Sequence, residues 1–121
     1  MTLKPFELAM RRKGTKHFID SDPTSIILTP YLEESVGGTK KSVPQPPRDA
    51  QNFKVIWGGG DGIVRTTPNG VHRFDFILVG EHDAIVSIGD KFHNKKAVVS
   101  YIWPSNEYEV KAGGVIHDTA V

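Results

Sequence analysis

Apolar and polar residues alternate in short runs along most of the chain, and glycine or proline interrupts these runs at intervals of roughly ten residues. The 121 residues include 12 glycines and 8 prolines. This spacing favours short strands joined by turns over long helices. The clearest local signal is the Asn69–Gly70 pair between two alternating runs, which predicts a β-hairpin. The pattern predicts a mainly β protein, a small antiparallel barrel or sandwich.

Each hydrophobic run between two turn signals is predicted to form a strand. On the run 71–79, Phe74, Phe76 and Leu78 are predicted to share one face. The two strands nearest the start are predicted to pair as a hairpin across a turn rich in aspartate. Residues 113–121 form a C-terminal tail that is either a last strand or frayed. The strands are predicted at 16–19, 25–31, 53–57, 63–67, 71–79, 84–88, 91–93, 97–103 and 108–111, and residues 53–112 form the barrel body.

One helix is predicted, at residues 1–14. Pro5 is tolerated in the first turn, where a missing N–H costs little, and Gly14 can end the helix. Phe6 and Met10 follow a helical spacing and would share one face. So short a helix is unstable alone, so it must dock either on its own barrel or on a partner subunit. The candidate docking residues are Phe6, Met10, Arg11 and Arg12.

The strand pattern disappears between residues 33 and 52. Pro44, Pro46 and Pro47 favour an extended, polyproline-like path through this segment. Loops this long inside compact domains are uncommon and are usually functional or disordered. The segment is therefore either a mobile surface loop or an extended arm that orders against neighbouring subunits. The candidate residues for this inter-subunit or channel arm are Gly37, Gly38, Lys40, Lys41, Pro44, Pro46, Pro47 and Arg48.

Composition narrows the classes of function. A chain of 121 residues is the size of one domain, so residues 1–121 are treated as a single unit. The formal net charge is +1, which gives no general electrostatic reason to bind nucleic acid or an anionic membrane. Cysteine is absent, which excludes disulfides and thiolate metal sites. The start lacks the apolar run of a secretory signal, and no run is long enough to span a membrane, so a soluble protein made in the cytosol is expected.

No motif predicts catalysis. The glycine-rich segment 58–62 resembles a phosphate loop only in composition, because the residues after it are β-branched and extended, not helical. The histidines lack metal-ligand spacing, and no serine lies in a nucleophile elbow. We therefore assign no catalytic, cofactor-binding or metal-binding residue, and we do not expect an enzyme.

A barrel that binds single-stranded nucleic acid remains an alternative. Such barrels place exposed aromatic rings beside basic side chains. Most of the aromatic residues here fall on alternating strand positions, for which core packing is the usual explanation, and the even charge balance counts against nucleic acid. The aromatic residues in question are Phe53, Trp57, Phe92, Tyr101 and Trp103.

Several segments together carry a resemblance of overall pattern, without a catalytic motif. They are the opening 1–12, the stretch 26–30, the Pro-Pro-Arg-Asp at 46–49, the segment 74–80 leading to 88–90, and the close at 108–114. With these segments, over nearly its full length, the chain resembles the head-to-tail stopper (head-completion) proteins of long-tailed actinobacteriophages, the siphophages of mycobacteriophage type.

This resemblance implies a small β-barrel that assembles into a ring, six-fold in that family, beneath the portal and its adaptor. The ring closes the DNA-filled head and offers a docking surface to the tail. It implies that residues 37–49 are the arm that reaches a neighbour or lines the channel. As a hypothesis, Lys40, Lys41 and Arg48 contact packaged DNA or acidic groups of the adaptor.

The implied partners are further copies of the chain, the portal-side adaptor, and the tail terminator or tail tube, with non-specific contact to DNA and none to a membrane. The implied location is the head–tail joint of the virion, after synthesis in the cytoplasm of the host bacterium. A tail-terminator ring, which would assemble by the same physics, is a further alternative.

Overall fold

The computed structural model describes residues 4–59, 61–93, 96–104 and 106–117, apart from the side chain of Val36. In these ranges the chain forms one helix followed by ten strands. The elements are α1 (Pro5–Asp20), β1 (Thr24–Ile26), β2 (Tyr31–Val36), β3 (Thr39–Pro44), β4 (Gln51–Trp57), β5 (Ile63–Thr67), β6 (Gly70–Phe74), β7 (Phe76–Gly80), β8 (Lys91–Phe92), β9 (Ala97–Ile102) and β10 (Val110–Ile116).

Six of the strands form one antiparallel sheet in the order β1-β4-β7-β10-β9-β8. The two outer strands of this order meet again through Thr29, just beyond β1, and Lys91 of β8. Their backbones exchange two hydrogen bonds, with N···O distances of 2.9 and 3.0 Å. The sheet therefore curls into a nearly closed barrel. The mainly β fold class predicted from the sequence is confirmed.

Inward-pointing residues of these strands form the main core. Phe53 of β4 and both Phe76 and Leu78 of β7 are fully buried there. Gly114 of β10 lies directly against this core, because a Cβ at that position would overlap the Phe76 ring and the carbonyl oxygen of Val98. Only glycine allows the backbone of β10 to come so close to its neighbours.

A second apolar cluster lies on the outer face of the barrel sheet, where the β5–β6 hairpin folds back over it. Phe74 at the end of β6 is fully buried against Ile77 of β7. The Phe74 ring lies on Gly113 of β10, where an added Cβ would stand 2.7 Å from a ring carbon. Half-buried residues complete this cluster: Ile63, Tyr101 and Trp103.

Helix α1 is longer than the sequence predicts. It passes through Gly14 and ends at Asp20, so the predicted end at Gly14, the predicted strand 16–19 and the hairpin built on that strand are all wrong. The helix packs on β4 and β7, and Ile19 is fully buried. Burial of Ile19 outweighs the poor helix propensity of glycine. The predicted first residues, 1–3, lie outside the described ranges.

The apolar residues of the predicted docking face do not pack on the chain's own barrel, so the alternative of docking on a partner subunit stays a prediction for them. Phe6 and Met10 are 74% and 60% exposed. The less exposed side chains instead follow the helical spacing of one face that looks towards the barrel. They are Leu8, Arg12, Thr15 and Ile19.

Gly14 offers a direct test of the longer helix. Apart from its chain neighbours and the backbone of the helix itself, no atom of the described residues lies within 4 Å of the place where its Cβ would be. Glycine inside a helix is less stable than alanine by roughly 0.5–1 kcal/mol. We therefore expect Gly14→Ala to raise the free energy of unfolding by about that amount, measured by urea denaturation. A destabilising effect would contradict a helix that continues through this residue.

The predicted strand 71–79 is interrupted at Asp75. The backbone N–H of Asp75 and its carboxylate both bond to β10, with N···O distances of 2.8 and 2.7 Å. This bend directs Phe74 to the outer cluster, whereas Phe76 and Leu78 enter the main core. The prediction that these three side chains share one face is therefore wrong.

Residues 84–88 form no strand, which corrects another prediction. They belong to the connection from β7 to β8, which crosses one end of the barrel. Ala84 and Val86 pack against the main core, whereas Ile85 and Ile88 are exposed. The alternating pattern that predicted a strand therefore belongs to an irregular segment, in which some side chains point into the barrel core and others into solvent.

The C-terminal segment is more ordered than a tail. Residues 113–116 belong to β10, which lies between β7 and β9 near the centre of the sheet. The strand alternative is therefore confirmed for these residues, and the barrel body extends past residue 112. Residues 118–121 lie outside the described ranges. The predicted strands at 53–57, 63–67, 91–93 and 97–103 are confirmed within a few residues, and the strand predicted at 108–111 begins at Val110 as part of β10. The continuous strand predicted at 25–31 is wrong, because β1 ends at Ile26 and β2 begins at Tyr31.

Candidate functional site

Much of the predicted arm, residues 33–52, forms a β-hairpin outside the barrel sheet. Strands β2 and β3 pair with each other in a separate two-stranded sheet. Gly37 and Gly38 form the turn with φ values of 59° and 83°, as in the two-residue hairpin turns that favour glycine. The segment is extended, as predicted, but the prediction that it contains no regular strands is wrong. Sequence reasoning missed the Gly-Gly turn because the flanking strands lack an apolar period.

Both edges of this hairpin are without a strand partner among the described residues. Val36 and Thr39 flank the two-residue turn and therefore form a hydrogen-bonded pair. Backbone groups alternate in direction along each strand, so the residues next to this pair, and every second residue after them, point their N–H and C=O groups away from the hairpin. Such an edge is a template for adding a strand from another chain. The outward backbone groups belong to Glu33 and Ser35 on β2 and to Lys40 and Ser42 on β3.

Charge is divided between the two strands of the hairpin. Glu33 and Glu34 lie on β2, whereas Lys40 and Lys41 lie on β3, and all four side chains are exposed. None of them forms a salt bridge within the part of the chain that the structure describes. One edge of the hairpin is therefore acidic and the other is basic, with the charges available to a partner.

A buried ion pair fixes the return segment of the hairpin to the barrel. The Arg48 guanidinium contacts Asp90 through Nε and Oδ2 at 3.0 Å, and it donates to Ser87 Oγ at 3.0 Å. The Asp90 side chain is only 1% exposed, and its Oδ2 also accepts the Ser87 N–H at 3.0 Å. Because both partners are hydrogen-bonded, the buried charge is compensated.

Backbone bonds hold the same region from other directions. The Arg48 N–H donates to the carbonyl oxygen of Leu28 at 2.8 Å, and the Gln45 N–H donates to that of Pro30 at 2.8 Å. The Gln51 side chain both donates to and accepts from the backbone of Ile85, at 2.9 and 2.7 Å. The hairpin therefore projects from a rigid base, although its two strands are largely exposed.

The predicted arm residues have different surroundings. Lys40 and Lys41 are free on β3, and Pro44, Pro46 and Pro47 are exposed. The Nε and Nη2 atoms of Arg48 bond to Asp90 and Ser87, so its positive charge is compensated within the subunit, and its contact with DNA or the adaptor stays a hypothesis. Sequence reasoning missed Asp90 and Ser87, because it read Gly89–Asp90 as the end of a strand. A buried aspartate in a connection has no local sequence signal.

Of the predicted docking residues, Met10 and Arg11 line a groove of about 570 Å³ between α1 and the residues before β10. Met10, Phe18 and Tyr108 provide its apolar walls. The Arg11 guanidinium carbon lies 5.4 Å from the centre of the Tyr108 ring. Arg12 donates from Nε to the carbonyl oxygen of Glu107 at 2.9 Å. The two arginines therefore attach the helix to its own barrel, whereas the apolar side chains remain exposed.

The aromatic residues considered for nucleic-acid binding are mostly internal. Phe53 and Phe92 are buried in the main core. Tyr101 and Trp103 pack edge to face in the outer cluster, with ring centres 5.1 Å apart. Trp57 is the exception, with an exposed fraction of 51%. A continuous stacking surface of these rings is therefore not formed.

Within the described ranges, no group of three or more histidine, aspartate or glutamate side chains is placed to hold a metal ion. No helix in the same ranges is long and apolar enough to cross a membrane. No protein-family model, curated protein or solved structure matches this chain.

Proposed function

We propose that this protein is a structural connector of a phage head–tail joint, a stopper that assembles into a ring and closes the DNA-filled head. In this proposal the barrel is the body of each subunit and the β2–β3 hairpin is the arm that contacts a neighbouring copy. The protein performs no catalysis in this role. It acts in the virion and recognises proteins on the head side and on the tail side.

The observation that carries this proposal is the hairpin with two free edges on a rigid base. Main-chain hydrogen bonds at a free edge bind another strand without needing particular side chains. Natural proteins normally protect exposed edges, since unprotected ones promote aggregation. A hairpin that leaves both edges free, and assigns opposite charges to them, is suited to a head-to-tail contact between identical subunits.

Electron microscopy of particles from an infection with this gene silenced tests the proposal. We expect separate tails beside heads that have lost their DNA. A normal yield of tailed, DNA-filled virions would exclude the protein from the joint. A tail-terminator ring would leave DNA-filled heads that lack properly ended tails, so the same images separate these two connectors.

Charge reversal on the basic edge provides a second test. We expect Lys40→Glu combined with Lys41→Glu to reduce the yield of complete particles at least about tenfold, because like charges across an interface are strongly unfavourable. Lys13→Glu combined with Arg65→Glu makes the same change in net charge away from the hairpin and should leave the yield unchanged. Equal yields from the two variants would show that the basic edge has no role in assembly or DNA retention.

The single-strand-binding alternative has less support, because most of the relevant rings are buried or packed against each other. It predicts tight, salt-sensitive binding of oligonucleotides by the isolated protein. The connector predicts little binding under the same conditions.

A further inference from the structure

Among the described residues, the seam between β1 and β8 is closed by backbone hydrogen bonds at one end, where Thr29 and Lys91 exchange them. Strand β8 ends at Phe92, and the next residue, His93, adopts a left-handed conformation with a φ of 56°. The two strands leave a slot of about 370 Å³. Its lining consists of Thr24, Ser25, Ile26, Ile27, Trp57, Phe92 and His93.

The β1 side of this slot presents unpaired backbone. Backbone groups alternate in direction along an extended strand. Those of Thr29 point to β8, whereas the carbonyl of Leu28 points to the other side, where it accepts the Arg48 N–H. By the same alternation, the N–H and C=O groups of Ser25 and Ile27 point into the slot. No backbone partner for them is present among the residues described.

The slot has an apolar part, and an acidic side chain lies two residues before its first lining residue, Thr24. Ile27 and Trp57 are 56% and 51% exposed at its walls. At the start of β1, the carboxylate of Asp22 is 83% exposed and is contacted by Lys54 at 3.5 Å, which leaves room for a second cation. A strand that fits this slot therefore needs outward backbone groups, an apolar side chain near Ile27 and a positive charge near Asp22.

Strand β3 of the hairpin meets all of these requirements. Lys40 and Ser42 direct their backbone groups outward, two residues apart like Ser25 and Ile27. If β3 lies parallel to β1 with Val43 opposite Ile27, the side chain of Lys40 falls beside Thr24, within reach of Asp22. The ladder would stop at Pro44, which has no N–H.

Two other arrangements fit less well. The antiparallel register that matches the same backbone groups would place Lys40 against Ile27. The other hairpin edge, β2, would bring Glu33 and Glu34 towards the seam, where a parallel strand would set them near Asp22. Charge complementarity therefore selects the basic edge.

We propose that β3 of one copy adds in parallel to β1 of the next copy and fills the open seam of its barrel. This inference rests on the proposed ring function and names the surface that accepts the arm. The contact joins two different surfaces of identical chains, so it is head-to-tail and propagates around a ring. It also supplies the strand partner that the seam and the basic edge both lack.

Disulfide trapping tests the contact cleanly because the chain has no cysteine. The purified double variant Ile27→Cys/Val43→Cys is concentrated under mild oxidation and analysed on a denaturing gel without reductant. We expect a ladder of cross-linked oligomers, because opposed residues of neighbouring strands lie within the usual range of Cα–Cα distances for a disulfide.

The matched control is Ile27→Cys/Leu32→Cys, which moves the second thiol across the hairpin from Val43 to Leu32, the residue that pairs with it. We expect at least about tenfold less cross-linking from the control, since the thiols are then one strand spacing farther apart.

The charge contact is tested in the same variant. Asp22→Lys or Lys40→Asp alone should reduce the yield of the ladder, and the two together should restore it. Restoration would distinguish a direct contact from a general loss of charge attraction. Two single losses without restoration would overturn the register.

The outcomes separate this inference from the proposed function. Equal ladders from the test and control variants, or no ladder from either, would overturn the seam contact, because trapping accumulates even a transient encounter. If the gel overturns the seam contact but silencing the gene separates heads from tails, the connector function stands and the arm binds another surface. If silenced infections yield normal virions, the connector function fails whatever the gel shows.

Discussion

Replacing Arg48 with alanine is expected to lower the free energy of unfolding by about 3–5 kcal/mol, one of the two largest effects expected of a single substitution in this protein. The reason is that Asp90, which is 1% exposed, would keep a buried charge without its cation. The Ser87 N–H still donates to Asp90, but one hydrogen bond does not replace an ion pair. Urea denaturation followed by far-ultraviolet circular dichroism measures the effect.

Arg65→Ala is the control for this substitution. Arg65 is exposed, and its hydrogen bond is local: Nη1 donates to the carbonyl oxygen of Val64 at 3.0 Å. Its loss should change stability by no more than about 0.5 kcal/mol. The double variant Arg48→Met/Asp90→Leu should recover most of the stability lost in Arg48→Ala, because a buried ion pair is replaceable by apolar side chains of similar volume. Equal effects of the two arginine substitutions would show that Asp90 is not buried with Arg48.

The Arg48 substitution also bears on the proposed assembly. The guanidinium joins the segment that follows β3 to the connection across the barrel end, so it fixes the direction in which the hairpin projects. An arm held in one direction loses less conformational entropy when it binds than a flexible loop does. The sequence interpretation treated Arg48 as a contact residue for DNA or the adaptor. In the structure its positive charge instead orders the arm that carries Lys40 and Lys41.

The local patterns of the sequence predicted the strands well wherever one face is buried against a core. Strands β4 and β9 have such a face, whereas β5 is largely exposed and is marked by the signal of the Asn69–Gly70 turn. The β2–β3 hairpin was not predicted, since it buries little and so has no apolar period to detect. Its strands depend on the Gly37–Gly38 turn and on cross-strand pairing, which a search for hydrophobic alternation does not register.

The errors at α1 and at Asp75 have a common physical cause. At both places tertiary contacts override the local preference of the sequence. Burial of Ile19 carries the helix through Gly14, and bonds from Asp75 to β10 bend a run that reads as one continuous strand. The seam between β1 and β8 was likewise beyond prediction, because it depends on the left-handed backbone of His93, which no local pattern announces.

The second large effect is expected at Gly114, where alanine should lower the free energy of unfolding by about 3 kcal/mol. Its Cβ would overlap both the Phe76 ring and the carbonyl oxygen of Val98. A backbone carbonyl in a paired strand has no room to retreat, so the β9–β10 ladder itself must shift. Gly113→Ala is the matched control on the same strand, because there the three atoms nearest to the added Cβ all belong to the Phe74 ring. A side chain yields more easily than a ladder, so we expect the Gly113 variant to lose roughly half as much. Urea denaturation of the two variants decides the matter, and an equal or smaller loss at Gly114 would mean that β9 and β10 do not approach each other as closely as the structure has them.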